Sequence, residues 1–111
     1  MNSLKIPAIT AQHFIGQKQV YPFNFTNSFA VGDSIASPSD VTVTVTPTVT
    51  GLTTGVAVSG MVVQLTVDAS AVTEADNNRE VMIEVAAEAS PSTLSDLLPM
   101  KLILVGKYKN A

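Results

Sequence analysis

Asp40-Val41-Thr42-Val43-Thr44-Val45-Thr46 alternates without a break. Val41, Val43 and Val45 fall on one side; Thr42, Thr44 and Thr46 fall on the other. Every residue after Asp40 is β-branched, which crowds a helix and suits a pleated sheet. The stretch is a half-buried strand. Pro47 ends it and guards an uncharged strand against further pairing. Downstream, residues 55–59 and 61–68 follow the same period around Gly60, with Met61, Val63, Leu65 and Val67 on one face. Residues 79–87 repeat it, with Val81, Ile83 and Val85 inward and Glu80 and Glu84 outward. A last strand is expected from Met100 to about Tyr108, with Leu102, Leu104 and Tyr108 on one face.

Upstream, Tyr21, Phe23 and Phe25 alternate with Pro22, Asn24 and Thr26 from Lys18 onward. Aromatic residues favour sheet, and Pro22 marks an edge strand or a strand start. Gly32-Asp33 is a turn, and residues 34–36 form a candidate short strand. Residues 90–99 open with Ser90-Pro91, a helix-start signature, so one turn of helix ended by Pro99 is expected there. Six to eight short strands with turns between them predict an all-β sandwich or barrel. No long helical pattern supports a βαβ crossover, so parallel pairing is not expected.

Residues 1–17 follow neither period. They carry Leu4, Ile6, Ile9, Phe14 and Ile15 among Pro7 and Gly16, too apolar for a solvated tail. They read as an extended N-terminal arm that lies on a surface, with residues 18–111 forming a single sandwich domain.

The chain has 111 residues, enough for one domain and one core. Its net charge is −3, and only 14% of residues are charged. An acidic chain neutralises phosphates poorly, so nucleic acid is not an expected partner. With no Cys there is no disulfide scaffold, thiolate site or cysteine nucleophile. The start has no sustained apolar run, so no secretory signal is expected. The uncharged run between Asp40 and Asp68 is too rich in Thr and Gly for a spanning helix, so no membrane association is expected. Asn24-Phe25-Thr26, formally a glycosylation sequon, is read as chance inside a strand.

Catalytic chemistry finds little support. The single His, His13, sits in the arm and reads as a surface or packing residue. One His without Cys cannot supply an ordinary zinc site. Glu74, Asp76, Asn77 and Asn78 offer oxygen ligands but lack the EF-hand frame, and read as a solvated acidic turn. No Gly-rich phosphate loop occurs. The expectation is a non-enzymatic protein with no cofactor and no metal.

Tyr21-Pro22-Phe23-Asn24-Phe25-Thr26, then Ala30-Val31-Gly32-Asp33-Ser34-Ile35-Ala36-Ser37, then Val/Thr alternation, resembles the small Ig-like virion structural proteins of tailed bacteriophages. The resemblance covers roughly residues 20–67. It departs at 68–78, which has no Gly, at the 90–99 connection and at the long arm. It implies an Ig-like antiparallel β-sandwich and a capsid decoration or cement protein on the virion's capsid exterior, made in the host cytoplasm. The implied partners are the major capsid protein and sister subunits in a homo-oligomer. Leu4, Ile6, Ile9, Phe14 and Ile15 of the arm, with Leu94, Leu97 and Leu98, are the expected contacts. A chain lacking residues 1–15 would then fold but fail to assemble. The alternatives are a tail, fibre or head–tail adaptor component, or a soluble Ig-like binding module.

Overall fold

The structure, a computed structural model, describes residues 9–106, with Ile9 by its backbone alone. It is an all-β sandwich of seven strands: β1 (Ile9–Phe14), β2 (Lys18–Asn24), β3 (Val41–Thr46), β4 (Thr53–Ser59), β5 (Val62–Asp68), β6 (Glu80–Glu88) and β7 (Ser95–Val105). A four-stranded sheet runs β1-β7-β6-β3, and a three-stranded sheet runs β2-β5-β4. Single 3₁₀ turns, Pro38–Asp40 and Glu74–Asp76, are the helical elements among the described residues.

The period-two reading holds in detail. Val63, Leu65 and Val67 of β5 are buried and meet Val81, Ile83 and Val85 of β6 and Met100, Leu102 and Leu104 of β7. Phe23 and Phe25 fill the same core, and Tyr21 packs at its margin. In β3 the valines pack against the core while the threonines face solvent. Pro22 lies on β2, an edge strand, where a missing N–H costs no ladder bond.

Three expectations are corrected. First, the segment read as an arm is largely part of the fold. β1 pairs in parallel with β7, from Ile9 opposite Met100 to Phe14 opposite Val105. Ile15 is in the core and His13 is fully buried. Ala11, His13 and Ile15 point inward at period two, but a polar inward His13 and an apolar outward Phe14 disguise the alternation. Second, the β1–β7 pair makes the larger sheet mixed, not purely antiparallel. The chain achieves this without a βαβ unit, because β1 turns directly into the opposite sheet. Third, residues 90–99 hold no helix. β7 begins at Ser95 and pairs with β6 from Glu88 opposite Ser95 onward. Thr93, at φ 62°, donates its N–H to Ala89 O and closes a hairpin.

Pro99 inside β7 has a simple account. Leu104 N–H donates to Arg79 O on the β6 side (3.0 Å). Strand alternation then turns the even-numbered N–H groups of β7 toward β6 and the odd-numbered ones away. Pro99 therefore takes no bond from the β6 ladder. Residues 34–36 make only one bridge, Ser34 with Ser90, rather than a strand. Tyr108 lies outside the described residues.

Candidate interaction surface at the loop end

The β2–β3, β4–β5 and β6–β7 connections gather at one end of the sandwich. Ser34 and Ser90 exchange both backbone bonds, at 2.9 and 2.8 Å, and Ile35 N–H reaches Gly60 O. Ile35 is buried beneath them. Asp33 is the tie. Its carboxylate accepts from the Ser92 hydroxyl (2.6 Å), the Ser92 N–H (3.3 Å) and the Ala30 N–H (3.0 Å). One turn residue thus clamps two connections 59 positions apart in sequence.

The Ser92 hydroxyl, foremost among these bonds, holds the Asp33 carboxyl below its ordinary range. A depressed carboxyl contributes stability above the unfolded value, about pH 3.9, and loses it as pH falls through the folded value. Asp33→Asn is therefore expected to lower the melting temperature at neutral pH. The gap to wild type should close as the pH is taken from about 5 to 2. Parallel melting curves across that range would contradict the clamp.

The expected contact residues divide. Leu94 and Leu97 are exposed, at 49% and 45%, and Phe14 at 43%. Leu94 lies in the β6–β7 turn and Leu97 on the outer face of β7. Leu98 faces inward and packs against the core, and Ile15 is core; neither is free for a partner. Leu4 and Ile6 lie outside the described residues, as does the side chain of Ile9. Val31, fully exposed at the tip of the Ala30–Asp33 turn, was missed, although a Val beside Gly32 in a turn is itself a signal. The loop end also carries Asp33, Asp40, Glu88 and Asp96. The sequence has no Lys or Arg between Lys18 and Arg79 or between Arg79 and Lys101.

A pocket of about 240 Å³ opens beside this end, lined by Ser39, Asp40, Thr42, Glu88 and Ser95 with two alanines of β6. It pairs hydroxyls with carboxylates and contains no His, Lys or Arg. His13 lies elsewhere, between β1 and β2. Its Nε2 faces Gln17 O (2.8 Å) and its Nδ1 the Tyr21 hydroxyl (2.7 Å). Because a carbonyl only accepts, Nε2 carries the proton. Nδ1 is then the nitrogen that faces the Tyr21 hydroxyl, whose ionisation burial pushes upward. His13 is a packing residue with both ring nitrogens engaged.

The acidic turn is tied down rather than merely solvated. Asp76 pairs with Arg79 (2.7 Å), and Asn77 Oδ1 accepts from Gly106 N–H (2.6 Å). Among the described residues no group of three His, Asp or Glu side chains is placed to hold a metal ion. Compared with known protein-family models, curated proteins and solved structures, the chain matches none.

Proposed function

We propose that this chain is a non-enzymatic structural protein of a tailed bacteriophage that decorates the capsid exterior and stabilises the lattice of the major capsid protein. The observation that carries this reading is the loop end. It is held rigid by the Asp33–Ser92 clamp and the Ser34–Ser90 bridge, yet it gives Val31, Leu94 and Leu97 to solvent. Large apolar side chains displayed on a stiff frame are the ordinary means of docking. A stiff frame also costs little ordering entropy on binding.

Three further points support it. The Gly32-Asp33 turn that carries the resemblance to phage virion proteins is the turn that builds this end. The strand order also fits an Ig-like sandwich: β2, β5 and β4 in one sheet and β3, β6 and β7 in the other follow the B-E-D and C-F-G sheets of immunoglobulin domains. The first strand joins the second of these. Finally, four carboxylates with no ion pair among the described residues favour a partner surface that is basic around an apolar centre. Many copies on one lattice would turn a modest single contact into strong retention.

Quantitative mass spectrometry of purified particles tests the reading. The protein should approach the major capsid protein in copy number. Val31→Asp with Leu94→Asp should leave the melting temperature within a few degrees, since both side chains are exposed, and cut particle binding at least tenfold. A handful of copies per particle would place it in the tail, fibre or head–tail region instead. Absence from particles would leave a soluble binding module.

A further inference from the structure

Residues 41–67 contain no charged side chain, and the loop-end contact does not use them. The structure collects two strands of this stretch on one side of the sandwich. β3 is an edge of the larger sheet and β4 an edge of the smaller. The His13–Tyr21 bond sets β1 over β2, which leaves β3 over β4.

Exposed edges invite pairing, and proteins blunt them with charge, Pro or local side-chain caps. Elsewhere this chain does so. The part of β7 before its described pairing with β1 has Pro99, without an N–H, and Leu97, whose N–H is taken by the Asp96 carboxylate (2.8 Å). β2 carries Lys18 and Pro22. β3 has no charge, no Pro and no Gly over six residues; Pro47, just beyond its end, removes only its own N–H and, contrary to the expectation from sequence, leaves the middle of the strand unguarded. Its open groups follow from alternation. The odd-numbered residues of β6 bond β7, so Met82, Glu84 and Ala86 bond β3 through Thr46, Thr44 and Thr42. Val43 and Val45 therefore turn their N–H and C=O outward, while Val41 N–H is taken by Pro38 O.

We propose that β3 pairs antiparallel with β3 of a second copy about a two-fold axis through Thr44, joining two four-stranded sheets into one of eight. A second copy fits because the alternation maps onto itself about Thr44. Thr42 then faces Thr46 and Val43 faces Val45, each in both directions. Threonines stay on the outer face and valines on the core face, as register requires. The outward groups of Val43 and Val45 supply four backbone bonds, flanking a close Thr44 pair of the kind that stabilises sheets. Charge points the same way. Copies of net charge −3 repel except across an uncharged side. By the same register the nearest outer-face carboxylates, Asp40 and Glu80 of the partner subunit, would stand two strand spacings apart, about 10 Å and still beyond the Debye length of about 8 Å at physiological salt. This inference stands apart from the virion proposal.

The chain has no Cys, so single cysteines report the register. Thr44 and Thr42 are exposed, and T44C and T42C should keep the wild-type circular dichroism. Across the axis the two position-44 Cα atoms would lie about 4.5 Å apart, within disulfide range. T44C should become a covalent dimer under mild oxidation. T42C alone should not, because its two copies would sit about 13 Å apart, four residues at 3.3 Å. T42C mixed with T46C should cross-link. Wild type should sediment toward twice 11.6 kDa as its concentration rises. Equal cross-linking of T42C and T44C, no cross-linking of T44C, or a monomer at all concentrations up to about 1 mM would each overturn the proposal.

Discussion

Deleting residues 1–15 should abolish cooperative folding rather than merely assembly. The deletion removes β1, and with it the strand partner of β7 from Met100 to Val105. It also removes two fully packed side chains, His13 and Ile15. Truncating one buried aliphatic residue costs about 2–5 kcal/mol. The edge bonds and the loss of His13 add to that. The sum reaches the whole stability of an ordinary domain, about 5–15 kcal/mol. A chain starting at Ile9 keeps every described contact and should still unfold in one cooperative urea transition. Far-UV circular dichroism and urea titration of the two truncations separate the cases. A cooperative, native-like transition after loss of residues 1–15 would mean that β1 contributes nothing essential to the fold.

This outcome reverses what residues 1–17 imply when read alone, and the reason is physical. A strand is legible when one face is apolar and the other polar. In β3 and β6 that is so, because valines and isoleucines alternate with threonines, glutamates and small residues, and their faces emerge as expected. Along β1 and the Ile15 that follows it the inward positions are Ala11, His13 and Ile15, one small and one polar, while outward Phe14 is large and apolar. The pattern is nearly inverted. Residues 95–99 fail similarly. Ser90-Pro91 carries a true helix-start signal, but the extended backbone of β6 through Glu88 needs a partner, and tertiary pairing prevails over local propensity. The loop end was half legible. Gly32-Asp33 announced a turn, but the partner of Asp33 is 59 residues away, and no local pattern encodes that distance.

Replacing His13 with Ala is expected to cost about 3–5 kcal/mol, the largest single-residue effect at any polar position of the core. Two effects add. The ring leaves a void among packed side chains, and voids cost in proportion to what cannot collapse into them. The half-buried Tyr21 hydroxyl also loses its partner, at the low end of the about 1–3 kcal/mol for a polar group left unmatched, while the Gln17 carbonyl keeps the Ala69 N–H (2.9 Å). Tyr21→Phe separates the two effects. Alone it removes one hydrogen bond and should cost about 1 kcal/mol. In the His13→Ala background it removes an already orphaned hydroxyl and should cost nothing or even stabilise. The double variant is therefore expected to be more stable than the sum of the single losses predicts, by about 1 kcal/mol, read from urea midpoints at constant slope. Strict additivity would mean that the 2.7 Å contact between Nδ1 and the phenol contributes no coupling. His13 would then hold β1 by shape alone. A loss under 1 kcal/mol for His13→Ala would go further, removing the buried histidine from the forces that keep the first strand in the sandwich.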